Sequence, residues 1–370
     1  TSNTGSSNAN TTYIPHQSSL DLNVGTGAND SVLRETKKVF AYQPGKSLLI
    51  MNTFAMANAQ ANLTQRVGYF GSDNGIFLEK SNNDVYLVLR SNSSGSIVET
   101  KVAQSDWNKD AFDGSANSYS ASVGHGGLDT TNTNIFWTDI EWLGVGDVRC
   151  GFVVDGLMVP AHIFHNDNIR KVPYMTTACL PVRYEIFNTG VTSNNSKLKQ
   201  ICSTIISEGG YQLQGSPKSA GHAVNSAVTL TTAGADYTVL SIRLKSDRPD
   251  AIVLPKDVNI LGISTNPTRI KYKIVLDANT SGGTWVSAGD DSAVQYNLGV
   301  STNGTGTVLA SGFIPVTNQS AGSINLADDI FKYQLERNTF ANTNSTFSIV
   351  LSGATNGDQA VASLGWEEVV

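Results

Sequence analysis

Along most of this chain, short runs in which apolar and polar residues alternate are separated by clusters of Gly, Asn and Ser. A period of two sends one set of side chains to a buried face and the other to water, so each run predicts a half-buried β-strand. Between residues 39 and 213, 47–54 reads as a buried strand and such runs fall at 75–79, 84–90, 96–102, 135–143, 148–154, 157–164, 183–187 and 201–212. Ser81-Asn82-Asn83 and Asn92-Ser93-Ser94-Gly95 give hairpin-style spacings between three of them. In 135–143, Ile135, Trp137, Asp139 and Glu141 interleave with Phe136, Ile140 and Trp142. Gly144-Val145-Gly146 then turns the chain into 148–154, and Asp155-Gly156 turns it into 157–164. Asp-Gly between apolar runs is a strong hairpin signal, because Gly accepts the positive φ of tight primed turns. These three runs predict a meander, and a set of about ten strands suits a two-sheet sandwich of the jelly-roll kind.

The stretch 214–224 is mostly polar and contains Gly215, Pro217 and Gly221, so a domain boundary is expected there. Strand-like runs resume at 227–230, 238–245, 259–263, 269–276, 293–296, 307–313, 347–351 and 362–367, with long polar spacers at 277–289 and 298–306. Helical periodicity shows only around 325–335. A second β-sandwich follows from this pattern. At the other end, residues 1–38 open on Thr, Ser, Asn, Gly and Ala, with Tyr13, Ile14, Leu20, Leu22 and Val24 as the large apolar residues among the first thirty. Such a stretch cannot build a core alone and reads as an extended arm. It is either a flexible tail or a segment that docks those five side chains in a neighbour as an added strand. The reading is therefore all-β, with an arm at 1–38, a jelly-roll-like sandwich at 39–213 and a second sandwich at 214–370.

Composition narrows the function. Of 370 residues, 40% are hydrophobic and only 15% charged, and the formal net charge is -6. The low charge is made up by Ser, Thr, Asn and Gly, as in short strands joined by many polar turns. Without a sustained Lys/Arg cluster there is no footprint for a nucleic-acid backbone, so no nucleic-acid partner is expected. No stretch approaches 18 continuous apolar residues, so no membrane insertion is expected, and the start lacks the basic and apolar regions of a signal peptide. Thr1 is what an initiator Met trimmed before a small residue would leave, and it says little about location. Cys150, Cys179 and Cys202 show no metal-ligand spacing and read as buried small hydrophobes, although a bridge between Cys150 and Cys202 is geometrically open.

Several constellations have side chains that could carry chemistry. His162-x-x-His165 with Asp167 nearby offers two imidazoles and a carboxylate, but an odd spacing on a strand sends the two His to opposite faces, which is wrong for a shared metal. Asp139 and Glu141 share a face and suit the paired carboxylates of a polysaccharide hydrolase, whose carboxyls stand about 5–5.5 Å apart in retaining enzymes. Asp290-Asp291 supplies fewer carboxylates than a tight calcium site uses. Gly124-His125-Gly126-Gly127 and Gly304-Thr305-Gly306 read as turns, and no dinucleotide, phosphate-loop or nucleophile-elbow motif occurs. The reading is no enzyme, no metal and no cofactor. For glycan binding, Trp107, Trp137, Tyr119, Tyr174 and Trp285 are the aromatic candidates. Trp107, flanked by Asp106 and Asn108 in a loop, reads as the least core-like, and these three form the candidate sugar site.

The motifs Phe40-Ala41-Tyr42-Gln43-Pro44-Gly45-Lys46, Gln65-Arg66-Val67-Gly68-Tyr69-Phe70, Asn74-Gly75-Ile76-Phe77, Gln104-Ser105-Asp106-Trp107-Asn108, Trp142-Leu143-Gly144-Val145-Gly146-Asp147 and Leu180-Pro181-Val182-Arg183-Tyr184 occur in one order. Together they resemble a family of virion structural proteins of tailed phages from marine and freshwater bacteria, with relatives in large DNA viruses. Trp285-Val286, Ser292-Ala293-Val294-Gln295-Tyr296, Ser311-Gly312-Phe313 and Leu364-Gly365-Trp366-Glu367-Glu368 resemble a domain found with it. The resemblance spans most of 33–368. It implies a non-enzymatic virion component, a capsid decoration or a fibre-like appendage, whose partners are other virion proteins and copies of itself. A carbohydrate-binding attachment protein, recognising a host surface glycan, is the alternative.

Overall fold

The computed structural model describes every residue except 41, 43–44, 142–143, 209–214, 265, 303–304, 317–320, 326–332, 339–342 and 370. Most of the helical pattern at 325–335 and the boundary at 213–214 lie outside the described residues. The chain divides into two compact units, Thr1–Tyr211 and Gln212–Val370.

The first unit is a sandwich of two seven-stranded sheets, antiparallel throughout. One sheet runs β1 (Ser2–Thr4), β4 (Ser31–Glu35), β13 (Val182–Asn188), β6 (Leu63–Phe70), β7 (Gly75–Ser81), β8 (Asp84–Ser91) and β9 (Val98–Ala103). The other runs β12 (Leu157–Phe164), β11 (Val148–Val154), β10 (Asn134–Glu141), β5 (Ser47–Ala55), β14 (Ser196–Ser207), β3 (Ser19–Val24) and β2 (Asn10–Ile14). A single helical turn, α1 (Tyr119–Ser122), lies in the connection between β9 and β10. The predicted meander is β10–β11–β12. Its Asp155-Gly156 turn has φ of 51° and 76°, the doubly positive pair that a primed turn requires.

Alternation builds the core. In β5, Leu48, Ile50 and Phe54 point inward, and across the sandwich Val67, Tyr69, Leu78, Leu87 and Leu89 meet them in one buried cluster. Asn52 shares that inward face, where the Tyr184 hydroxyl accepts its amide N–H and contacts Ser203 Oγ at 2.8 Å. Tyr184 also donates to the Cys202 and Thr53 carbonyls at the point where β14 slips register against β5. The Tyr184 hydroxyl thus links backbone and side-chain groups of both strands where the bulge interrupts their ladder.

The segment expected as a free arm instead supplies β1 to β4, paired within its own unit. β3 pairs with β14 and β2 with β3, while β1 lies beside β4. Leu22 and Val24 are buried in the core and Leu20 packs against it, so these three do not reach a neighbour. Their i, i+2, i+4 spacing is the inward face of a strand, and residues 39–213 provide the rest of the core it needs. Tyr13 stays exposed and Ile14 half-buried. Asp30 fastens the segment: it accepts from Ser6 N–H at 2.7 Å, Ser6 Oγ at 2.6 Å and Gly25 N–H at 3.1 Å.

The outer face of the β1–β9 sheet carries a second, smaller apolar cluster of Phe70, Phe77 and Val88 with Tyr86. Guanidinium groups lie over these rings, Arg66 at 5.4 Å and Arg90 at 4.9 Å from the Phe77 centroid and Arg183 at 5.2 Å from that of Phe70. Each is paired with a carboxylate: Arg66 with Glu79 and Glu185, Arg90 with Glu99, Arg183 with Glu35.

The second unit is also a sandwich. One sheet runs β15 (Ser216–Gly221), β28 (Asp358–Val369), β18 (Ile252–Ile263) and β24 (Ala321–Asn325), with β16 (Val228–Leu230) also on β28. The other runs β20 (Val286–Ser287), β21 (Val294–Asn297), β17 (Tyr237–Leu244), β27 (Phe347–Gly353), β19 (Thr268–Leu276) and β23 (Thr307–Val316), with β22 (Ser301–Thr302) on β17. β25 (Arg337–Asn338) and β26 (Thr343–Asn344) form a separate short pair. Every second residue of β28 is buried, including Ala360, Ala362, Leu364 and Trp366. Glu368 ends that inward row and is held by Ser292 Oγ, Ala293 N–H and Trp366 Nε1–H at 2.5–2.7 Å.

Candidate functional site

The candidate sugar site does not assemble as a stacking platform. Trp107 is only 6% exposed. The single 3-10 turn before it, Gln104–Asp106, swings the indole inward, where it stacks on Phe152 at 6.0 Å, meets Phe112 edge-on at 6.4 Å and donates Nε1–H to the Val102 carbonyl. Asn108 is a clip, donating Nδ2–H to the Ile163 carbonyl and accepting the Ile163 N–H, each at 2.9 Å. Asp106 alone of the three is an exposed side chain with no neighbour of that kind. A Trp between two polar residues looks exposed in sequence, but the open end of a sandwich is a large apolar surface and takes the indole as its cover.

On the outer face of the β10 sheet, Trp137 is likewise buried, lying flat over Gly151, where an added Cβ would stand 2.7 Å from its Cζ2. Asp139 and Glu141 do share a face, but Arg149, directly across from Asp139 on β11, pairs with Asp139 and stands 3.7 Å from Glu141. A hydrolase needs both carboxyls to face a sugar ring, one holding a proton. Here one guanidinium spans them, the arrangement of a surface ion pair.

His162 and His165 diverge as the odd spacing predicts. His162 is buried, its ring edge-on to Phe164, and Nδ1 accepts the Asn108 N–H at 3.3 Å. Burial, helped by the nearby His165, pushes its pKa down to about 4, so the imidazole is neutral at pH 7. His165 turns outward and its Nδ1 meets Asp147 Oδ2 at 2.8 Å. Asp147, His165 and Asp167 bring three donor atoms within 4.8 Å of one another, a set that offers one imidazole and two carboxylates to a divalent cation. Burial raises the Asp147 pKa, but hydrogen bonds from the Asn166 N–H, His165 and Asp167 outweigh it and hold it below the usual carboxylate range. Sequence reading joined His165 to Asp167 and missed Asp147. Register supplies the link, because Val148 pairs with Phe164 and the residues just beyond that pair are 147 and 165.

Of the other predicted groups, Tyr174 is buried, Cys150 and Cys179 are buried and Cys202 is exposed, and none of the three cysteines forms a disulfide. The Cys150 thiol is pushed up to about 12 by burial. Cys202 departs from the expectation because the β14 bulge turns it outward beside Thr53. Asp291 lies 3.8 Å from Lys218 rather than in an acidic cradle. Trp285, in contrast to Trp107 and Trp137, is only partly buried.

Two features have no sequence motif. In the first unit a cavity of about 530 Å³ opens between the β5–β6 loop and the start of β14, lined by Asn58, Gln60, Thr131, Asn194, Asn195 and Lys199. Gln60 is committed to Asn194 and Ser196, whereas Asn58 and Asn195 are exposed side chains at its mouth. In the second unit a cavity of about 380 Å³ is lined by Arg243, Gln295, Arg337 and Asn344 among others. Both gather residues distant in sequence, so only their Asn-rich loops were legible.

No family model and no curated protein matches the chain. Among solved structures it is similar to a family 7 alginate lyase A1-II′ (TM-score 0.32, 8% identity, 55% of this chain and 85% of that one). It is also similar to the Emp46p carbohydrate recognition domain (TM-score 0.30, 10% identity, 53% and 85%) and to a legume lectin-like domain from Entamoeba histolytica (TM-score 0.29, 6% identity, 51% and 84%). Among the described residues no helix is long and apolar enough to cross a membrane.

Proposed function

We propose that the chain is a non-enzymatic structural component of a phage virion, a capsid decoration or a fibre-like appendage, that acts by associating with its own copies and with other virion proteins. The observation that carries the reading is apolar exposure at the sheet ends of the first unit. Ile97 and Val98 are 55% and 51% exposed where β9, the last strand of its sheet, begins. Leu157 and Met158 are 55% and 43% exposed where β12, the last strand of the other sheet, begins. Terminal strands present unpaired backbone groups to other chains, and apolar side chains at such edges favour burial between copies. The ordered sequence motifs support the virion setting. With β1–β4 built into the first unit, self-association runs through these edges rather than through a terminal arm. Light scattering on the intact chain and on a Val98→Asp, Leu157→Asp double variant tests it: the intact chain is expected as a multimer, the variant as a monomer. An intact chain that is monomeric at every concentration, and absent from purified particles by mass spectrometry, would contradict it.

A second reading, attachment to a host glycan, is favoured by the amide-lined cavity of the first unit, since Asn and Gln side chains pair well with sugar hydroxyls. A glycan array repeated with Asn58→Ala and Asn195→Ala is the test, with loss of a specific signal expected.

A further inference from the structure

Alternation along β17 sends Val239, Leu240, Ile242 and Leu244 into the core of the second unit and leaves Arg243 on the outer face. Its guanidinium carbon stands 4.1 Å from the centroid of the Trp285 ring, and Nε donates to Gln295 Oε1 at 3.2 Å from the directly opposed position on β21. Stacking occupies a face of the guanidinium and Gln295 takes one edge. The Nη groups remain as a fork on the guanidinium's other edges, the geometry that grips an oxyanion with two parallel hydrogen bonds.

What sets Arg243 apart is its charge balance. Elsewhere in the unit Lys256 pairs with Glu367 at 2.8 Å, Lys273 with Asp236 at 2.5 Å and Arg337 with Asp250 at 3.0 Å. Among the described residues no carboxylate is paired with Arg243. Burial alone acts on it and draws its pKa below the usual arginine value. A partly desolvated cation without a counter-charge is unfavourable unless an anion joins it. The cavity it faces has about 380 Å³, the size of a small-molecule site, and its described wall includes Ser246, Thr343, Asn344 and Arg337, the last already paired with Asp250. Asn344 is fixed there by donating to the Leu244 carbonyl at 2.8 Å. The Arg243 guanidinium beside these hydroxyl and amide groups matches a ligand carrying one anionic group and several hydroxyls.

We infer that Arg243, steadied by Trp285 and Gln295, is the anion-binding centre of a site for an acidic saccharide in the second unit. The anion is a sugar carboxylate or a sulfate ester, and the hydroxyl and amide groups of the wall take the ring hydroxyls. The inference does not depend on the assembly reading, because the cavity is formed within one unit and needs no second copy.

Calorimetric titration of the full chain with glucuronate, glucose-6-sulfate and neutral glucose tests it, with inorganic sulfate as a fourth arm. Saturable binding of at least one acidic sugar, weaker or absent binding of glucose and of inorganic sulfate, and a loss of about tenfold or more in Arg243→Gln support it. The sugar that wins tells carboxylate from sulfate. Arg243→Lys keeps the charge without the fork and is expected to bind more weakly than the intact chain but better than Arg243→Gln. Melting curves of both variants, expected to overlay the intact chain, show that folding is not what changed. No saturation by either acidic sugar, equal binding of glucose or of inorganic sulfate, or undiminished binding in a folded Arg243→Gln would overturn it.

Discussion

Arg66 and Arg243 are both half-buried arginines on the outer face of a sheet, and both stack on an aromatic ring. They differ in what balances the charge. Burial draws the Arg66 pKa down, but Glu79 and Glu185 more than reverse this and carry it above the usual arginine value. Arg243 has burial without that compensation and stands below it. The first arginine is therefore internal cement, holding Phe77 and Phe187 under an ion-paired lid. The second is a cation left for something else to pair. Stacking geometry alone does not separate the two roles, and the neighbouring carboxylates do.

The largest expected effect comes from breaking the cement. Phe77 is fully buried beneath Arg66 and Arg90, and Phe77→Ala is expected to destabilise the first unit by about 4 kcal/mol in denaturant unfolding. Glu79, 1% exposed, accepts from both Arg66 Nε and Lys101 Nζ. Glu79→Ala removes the shared, buried partner of those cations, leaving Arg66 only Glu185 and Lys101 only Glu99, and is expected to cost about 3 kcal/mol, whereas Arg243→Ala is expected within about 0.5 kcal/mol of the intact chain. If both substitutions cost the same, the contrast between the two arginines fails.

Two smaller effects depend on pH. His162 has a folded pKa of about 4, below the imidazole's unfolded value of about 6.5. The unfolded chain binds the proton first, so stability is full above pH 6.5 and falls as pH drops from there towards 4. His162→Phe is expected to flatten that part of the unfolding profile. Burial pushes the Asp30 pKa up, but hydrogen bonds from Ser6, Gly25 and Gly27 outweigh it and hold the carboxylate below its ordinary range. Its contribution is present above the unfolded value of about 3.9 and is lost as pH falls through the lower folded one. Hydrogen exchange in β1 to β3 is expected to rise first as that limit is approached, and to be already raised at pH 7 in Asp30→Ala.

The strands were legible where one face is polar and the other apolar, as in β10, and β5 was legible as a short, mostly apolar run. β6 was not, because on its outward face Phe70 is buried and Arg66 half-buried, and the alternation reads as noise. Residues 1–35 were legible as strand-like apolar spacing but not as part of this core, since the partner strands β13 and β14 lie more than a hundred residues away. Trp107 misled because local polarity says nothing about which end of a sandwich a loop must close. Arg243 lies on β17 and Trp285 in the connection just before β20, and only Trp285 carried a signal. The two cavities gather side chains through long-range pairing, which one-dimensional spacing does not encode.

The central claim is that the chain works by assembling. Light scattering of the intact chain across the micromolar range tests it most directly, with the Val98→Asp, Leu157→Asp variant alongside. A multimer of fixed stoichiometry that falls to monomer in the variant is the predicted result. A monomer at every concentration, with the variant indistinguishable from the intact chain, would contradict it.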